Sequence, residues 1–479
     1  MTFEVIYSII SVKNIWEGAI EILPLEFEER IKALPNTDAE ALLHALRDGE
    51  PVRGLRINTV KCTPEEFIEK SNLPITPIAY EKNGYILESS EGVGNTAAHH
   101  SGEIYLQDPG AMATLNALKL ESGMICADLC SAPGGKSSQI AERIGEEGFL
   151  LANEFIPKRA KIAVGNFERL GLKNTVVTSL DTSELPKLFS EFFDFVLADA
   201  PCSGEGLFRK TSTAHEEWSV ENVKLCANRQ SSILDNAAPL LKEGGKLLYS
   251  TCTFSLEENE MTVDSFLSRH PEFELIEVEE ELRRATADGI DFPGCKAKNI
   301  SYCRRFYPHI TPGEGQFIAL MKKRDGKNPK KRILYNDSSE PLKRSELDIV
   351  RRFFKENMKC DRTKNVRAHG ENLVLIPHGY PLMPRSVFCA GVLLGHIQKG
   401  VLIPSHQFFS AFGGEFLRQE HIEPSDPRLE AYLRGEEIEA AEVRENGWCS
   451  VAFGNTPLGG AKAVSGRLKN HYPKGLRKS

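Results

Sequence analysis

The sequence predicts an α/β fold: an open, largely parallel sheet with helices on both faces, flanked by smaller α+β modules. Three observations predict it. Between residues 101 and 320, short apolar runs alternate with amphipathic segments, a pattern of parallel strands joined by helical crossovers. A glycine-rich turn joins the first run to the first amphipathic segment. Acids follow three successive runs, at the carboxyl edge where open α/β sheets take ligands. The strands expected are "MICADL", "GFLLANE", "NTVVTS", "FDFVLAD" and "GKLLYST". The helices expected between them are "KSSQIAERI", "PKRAKIAVGNFERL" and "VKLCANRQSSILDNAAPLLK", each with apolar residues at helical spacing.

Before this region, residues 22–50 read as helical and "GLRINTVKCTPEEFIEK" as strand, turn and helix. After it, "KKRDGKNPKKR" (322–332) carries seven basic residues against one acid and reads as a linker. "NLVLIPHGYPLM", "GVLLGHIQKGVLIPSHQFF" and "GWCSVAFGNTPLGGAKAV" read as short strands broken by Gly and Pro. The last 18 residues hold six Lys or Arg and no acid, either solvated charge or a phosphate-contacting surface.

The chain has 479 residues. Single cores stop growing near about 250–300 residues, so about three units are expected. Apolar residues make up 41% and charged residues 26%, an ordinary globular balance. The net charge of −8 mildly opposes polyanion binding by the chain as a whole, so the distribution of charge matters more. The 11 cysteines are odd in number and form no C-x-x-C pair, which argues against a disulfide framework or structural zinc and suits a reducing cytoplasm. "MTFEVIYSIISVKNIWEG" lacks leading basic residues and a cleavage site, so it reads as a helix or irregular extension. No run approaches about 18 apolar residues, so no membrane span is expected. His99-His100 has no Cys or acid at ligand spacing and reads as a polar loop, not a metal site.

The turn after the first strand, "ADLCSAPGGKSSQIAERI", excludes two nucleotide-handling patterns. A phosphate-cradling loop needs Gly where Cys130 stands, and the dinucleotide fingerprint fails across Ala132-Pro133-Gly134-Gly135-Lys136. A third reading fits. Glycines let the backbone approach a small ligand, and the helix N-terminus offers N–H groups to a carboxylate. S-adenosyl-L-methionine carries a carboxylate and no phosphate. Glu154, 19 residues after Gly135, stands where a ribose-binding acid is expected. Asp181 follows the third strand and could accept from an adenine amino group; Asp199 closes the fourth.

Cys202 and Cys252 follow the fourth and fifth strands, where apolar sequence gives way to polar or Gly-containing turns. Cys126, Cys226 and Cys389 lie inside apolar runs and read as packing residues. A thiolate has a defined use here. Carbon 5 of a pyrimidine is too weak a nucleophile to attack a methyl sulfonium, and thiolate addition at carbon 6 makes it enamine-like. Asp199 would steady charge at ring nitrogen 3. The residues around the two thiols do not rank them.

"DLCSAPGGKSSQIA", "ANEFIPKRA", "DAPCSGEGLFRK", "YSTCTFSLEENE" and "RRFYPHITPGEGQF" together resemble the NOL1/NOP2/sun family of RNA cytosine-5 methyltransferases, in its bacterial small-subunit ribosomal RNA branch. The likeness is strong over residues 23–323 and weaker to the end, through "GHIQKG" and "KNHYPKGLR". It implies a Rossmann-like class I S-adenosyl-L-methionine-dependent methyltransferase domain with a mixed seven-stranded sheet. It implies Cys252 as nucleophile and Cys202 as the cysteine assisting product release. It assigns Cys130, Ser131, Ala132, Pro133, Gly134, Gly135 and Lys136 to the methionine-binding loop, with Glu154 on the ribose, Asp181 on the adenine side and Asp199 shared by cofactor and base. Arg159 would also line the cofactor pocket.

The domains expected are an N-terminal RNA-binding α+β module (1–100), the catalytic domain (101–323), a linker with a first C-terminal α+β module (324–400) and a PUA-like RNA-binding module (401–479). The first 22 residues lie outside the family pattern and read as an added or mis-started stretch. "FRK" (208–210) and "RRFYPH" (304–309) interleave aromatic and basic side chains and read either as ordinary surface or as a site for a flipped base and its flanking phosphates. The expected partner is ribosomal RNA, bare or within the small subunit, met by a monomer in the cytoplasm. The alternatives are a transfer RNA substrate and a noncatalytic ribosome-assembly factor, the latter opposed by the intact loop and both cysteines.

Overall fold

The computed structural model describes residues 23–325, 342–378, 380 and 387–478. The N-terminal extension and the linker beyond Asp325 therefore lie outside the described residues. The five expected central strands are present as Ile125–Asp128, Phe149–Asn153, Thr175–Thr178, Phe193–Asp199 and Leu241–Thr251. They pair in parallel, with Ile125–Asp128 between Phe149–Asn153 and Phe193–Asp199. Thr175–Thr178 flanks the second strand, and Leu241–Thr251 flanks the fourth. Most of their residues are buried on both faces, which is why they read as apolar runs and not as alternating ones. Helices Gly135–Ile144, Pro157–Leu170 and Val220–Ala237 supply the crossovers.

The sheet outgrows the seven strands expected and reaches ten. Gln316–Lys323 runs antiparallel beside Leu241–Thr251, and short strands extend that side. At the opposite edge, Val387–Ala390 from the C-terminal region adds antiparallel to Thr175–Thr178. The sheet edge thereby passes to a four-residue strand from far along the chain, and short edge strands offer little backbone for a second chain to pair with.

A four-stranded antiparallel sheet precedes the catalytic sheet, in the order Ile75–Ile78, Glu81–Leu87, Arg53–Ile57, Ile104–Leu106. Helices Leu25–Lys32 and Ala39–Asp48 pack as an apolar layer against Phe208, Trp218 and Phe254 of the catalytic region. Helix Pro64–Lys70 begins with a capping box of Thr63 and Glu66.

The C-terminal region holds a four-stranded sheet, whose hairpin Val392–Gln398 and Val401–Pro404 spans residue 400, and a five-stranded sheet of residues 419–470. The "SHQFF" stretch is not strand. Ser405 caps a helix, His406–Phe412, whose Phe408, Phe409 and Phe412 enter the core beside Trp448. Gln407 donates to Glu168 of the catalytic domain at 3.0 Å. Lys61 of the N-terminal region donates to the Ser410 carbonyl at 2.5 Å. Three regions thus meet at one helix. Among the described residues, no helix is long and apolar enough to cross a membrane.

Candidate active site

The first strand delivers the chain into the turn Cys130–Lys136. Asp128, at its end, is buried and accepts from Ser137 Oγ at 2.5 Å and from the Cys130 amide at 3.1 Å. Burial pushes its carboxyl up to about 7. Gly134 has φ +111°, and a Cβ there would lie 2.9 Å from the Phe167 ring. A side chain at that position is opposed by backbone strain and by contact together. A Cβ on Gly135, the first helical residue, would press at 3.1 Å on Gln107 and Tyr105. The first turn of helix Gly135–Ile144 keeps N–H groups that have no partner within the helix.

Asn153 and Glu154 end the second strand. Asn153 is fully buried and joins three loops: Nδ2 donates to the Leu129 and Leu180 carbonyls at 3.3 and 3.0 Å, while Oδ1 accepts from Thr178 Oγ1 at 2.8 Å and the Leu180 amide at 3.1 Å. Glu154 Oε1 accepts from the Ile156 amide at 3.0 Å. Glu154 Oε2 is buried without a hydrogen-bond partner among the described residues, with the Arg159 guanidinium 3.4 Å away. Arg159 also donates to the Ala132 carbonyl at 2.9 Å, tying its helix to the glycine turn. Asp181 is exposed and caps the turn after the third strand. It accepts from the Ser183 amide and hydroxyl at 2.9 and 2.6 Å, bonds that hold its carboxyl below the usual range.

The fourth and fifth strands are parallel neighbours, with Asp199 opposite Ser250. Asp199 Oδ1 takes Lys136 Nζ at 2.7 Å and Ser250 Oγ at 2.6 Å. The lysine of the glycine turn is thus the ion-pair partner of the acid three residues before Cys202. Beyond the two strand ends, the Sγ atoms of Cys202 and Cys252 lie 3.1 Å apart, and the Cys252 amide donates to Cys202 Sγ at 3.3 Å. The hydrogen bond with Cys252, and then burial, push the Cys202 thiol well above its ordinary value. Cys126 and Cys226 are buried packing residues, and Cys389 packs against the apolar layer around Phe167.

Two sequence expectations are corrected here. "FRK" and "RRFYPH" are internal joints. Phe208 packs edge-on to Phe27 at 4.9 Å, Arg209 pairs with buried Glu314 at 2.7 Å, and Lys210 pairs with Asp108 at 3.0 Å. Arg305 is buried against Glu260, and Tyr307 stacks on Phe254 at 5.9 Å. Removing either partner of the buried Arg305–Glu260 pair would strand a charge, at a cost of about 3–5 kcal/mol. Nor is His99-His100 a polar loop. It lies in the helical turn Ala97–His100, with His100 Nδ1 2.7 Å from Tyr472 OH. Burial lowers His99 to about 3 and His100 to about 4, so both are neutral packing groups. Among the described residues, no cluster of three or more His, Cys, Asp or Glu could hold a metal ion.

Comparison with known proteins matches the same regions. Residues 115–322 match the 16S rRNA methyltransferase RsmB/F model. Residues 23–109 match the N-terminal domain of 16S rRNA methyltransferase RsmF, and residues 419–478 match the methyltransferase RsmF PUA domain. Ribosomal RNA small subunit methyltransferase F of Klebsiella pneumoniae (strain 342) is 31% identical over 439 residues, 88% of this chain and 90% of that protein. The chain belongs to the RsmB/F family of 16S rRNA methyltransferases. Ribosomal RNA small subunit methyltransferase F of Cronobacter sakazakii is 30% identical over 88% of this chain and 90% of that protein. A solved methyltransferase homologue from Pyrococcus horikoshii is 28% identical, with a TM-score of 0.55 over 62% of this chain and 94% of that one.

RsmB/F methyltransferases take their methyl group from S-adenosyl-L-methionine, and the residues here fit that molecule. Glu154 Oε2 and Ser131 Oγ are buried polar atoms without hydrogen-bond partners among the described residues. The Gly134–Gly135 backbone leaves room that a Cβ would fill, beside a helix N-terminus suited to a carboxylate. Asp128, Asn153 and the Lys136–Asp199 pair escaped the sequence reading as structural members of the site. Only their strand-end positions could have signalled them.

Proposed function

We propose that the protein methylates carbon 5 of cytosine in small-subunit ribosomal RNA through a bond between Cys252 and carbon 6. The 3.1 Å approach of two thiols beside Asp199 supports this most strongly. Methyl transfer to a ring nitrogen or a ribose oxygen needs no thiol, whereas transfer to carbon 5 needs one to activate the ring and a base to restore it. S-adenosyl-L-methionine, when bound, supplies an electrophilic methyl group. The turn Cys130–Lys136 and Glu154 would hold it, with Arg159 and Asp181 at its margin.

The chain's own residues then act in order. Ring nitrogen 3 takes a proton from solvent as carbon 6 is attacked and returns it when the 5,6 double bond is restored; Asp199, held by Lys136 and Ser250, accepts a hydrogen bond from it in between. The Cys252 thiolate adds to carbon 6, forming the S–C6 bond and making carbon 5 nucleophilic. Cys202, its proton released to solvent, takes the proton from methylated carbon 5. The S–C6 bond breaks, the 5,6 double bond returns and Cys252 leaves as thiolate. One proton reaches solvent per methyl transferred.

The N-terminal module and the C-terminal PUA-type module would grip the RNA by shape and phosphate contacts while the cytosine is turned out of its stack. We assign this work to a monomer in the cytoplasm. With small-subunit RNA carrying tritium at cytosine carbon 5, each methyl transferred should release one tritium to water; methylation with tritium retained would overturn the proposal. Glu154→Ala should weaken S-adenosyl-L-methionine binding about tenfold or more, since hydrogen bonds to charged groups contribute about 1.5–3 kcal/mol. Unchanged affinity in equilibrium binding would remove Glu154 from the cofactor site.

A further inference from the structure

The residue after each thiol carries a hydroxyl: Ser203 follows Cys202 and Thr253 follows Cys252. Their oxygens lie 3.0 Å apart. Two buried acids flank them. Glu258 Oε2 accepts from the Ser203 amide at 3.0 Å and from Gln230 Nε2 at 2.8 Å. Glu258 Oε1 faces Ser203 Oγ, with Thr253 Oγ1 at 3.3 Å. Gln230 also donates to the Pro201 carbonyl at 3.0 Å, so both neighbours of Cys202 are held by one assembly. On the other side, Glu205 Oε2 accepts from Thr253 Oγ1 and from the Phe254 amide, each at 2.8 Å, and Glu205 Oε1 accepts from Trp218 Nε1 at 2.9 Å. Ser203, Glu205, Gln230, Thr253 and Glu258 are all buried.

We infer that Glu258 is a positioning residue whose carboxyl laces the turn bearing Cys202 to the turn bearing Cys252, and so sets the spacing of the two sulfurs. Proton counting requires one of the two acids, Glu258 or Glu205, to be protonated. The contacts Glu258–Ser203, Ser203–Thr253 and Thr253–Glu205 need three protons, and the two hydroxyls supply two. A protonated Glu258 supplies the third: Oε1 donates to Ser203, Ser203 to Thr253, and Thr253 to Glu205. Burial, reinforced by the charge of Glu205, lifts Glu258 to about 7, which suits that form. A glutamine amide offers the same donor and acceptor in the same places. The effect of this spacing on turnover rests on the release role proposed for Cys202.

The experiment uses the full-length protein and two readouts. The first needs neither RNA nor cofactor: diamide accepts two electrons and two protons from the thiols, and the rate of Cys202–Cys252 disulfide formation is followed by peptide mapping. Glu258→Ala should slow this about tenfold or more, the scale on which small misplacements act, while Glu258→Gln restores it. The second is accumulation of a covalent protein–RNA adduct, with Cys202→Ala as reference. Glu258→Ala should accumulate adduct and Glu258→Gln should not. Equal disulfide rates in the wild type and Glu258→Ala overturn the inference whatever the RNA shows. Loss of function in Glu258→Gln equal to that in Glu258→Ala also overturns it, since the protonated form would then not be the working one. Slowed disulfide formation with no adduct in Cys202→Ala leaves Glu258 as the spacer and removes the release role from Cys202. If Glu258→Ala does not fold, Ser203→Ala takes its place in the first readout, and a wild-type rate there overturns the inference.

Discussion

Cys252→Ala should abolish methyl transfer to RNA while S-adenosyl-L-methionine still binds. The variant removes the sulfur that would add to carbon 6, and under the proposed roles Cys202, 3.1 Å away, serves as the base and does not replace it. Asp199 and Lys136, paired at 2.7 Å, would stabilise charge without forming a bond to the ring. The expected loss is about 10⁴-fold or more, the scale on which loss of a covalent nucleophile acts. Cofactor affinity should hold because the glycine turn and Glu154 follow the first and second strands, two and three strands away from the strand that leads into Cys252. Incorporation of labelled methyl groups, measured beside equilibrium binding of the cofactor, checks both halves. Substantial transfer by the variant would exclude Cys252 as nucleophile.

Cys202→Ala should instead trap the enzyme on its product. Attack by Cys252 and methylation of carbon 5 proceed, but the carbon 5 proton has lost its acceptor and the S–C6 bond cannot break. A protein–RNA adduct that survives denaturing electrophoresis should build up toward one per enzyme, with methyl already in the RNA. The hydrogen bond with Cys252 and burial keep a proton on the resting Cys202, and a thiol so raised is the stronger base once that proton has gone. The two variants discriminate because each removes one of two sulfurs that lie only 3.1 Å apart and leaves the other in place. An adduct in the Cys252 variant and none in the Cys202 variant would reverse the roles.

Much of this was legible in the chain. Strands buried on both faces leave continuous apolar runs, so the central strands and their carboxyl ends could be read, and with them Glu154, Asp181, Asp199, Cys202 and Cys252. The glycine turn was legible because φ +111° at Gly134 demands a residue without Cβ. Aromatic and basic side chains gave the opposite result. "FRK" and "RRFYPH" resemble a nucleic-acid surface by composition, yet Arg209 meets Glu314 across 105 residues and Arg305 meets Glu260 across 45. A charge looks the same in sequence whether it faces phosphate or an internal carboxylate.

The sequence by itself determined the order of strands and helices, the turn that admits a small ligand and the chemical types at the sheet edge. Those properties depend on local periodicity and backbone conformation, which neighbouring residues specify. The tertiary structure alone decided which groups meet. Lys136 reaches Asp199 over 63 residues, Cys202 reaches Cys252 over 50, and Glu258 reaches back to Ser203 over 55. Those meetings follow from strand order and burial, which bring distant turns together and leave each buried polar group to be satisfied by whatever the packing puts beside it.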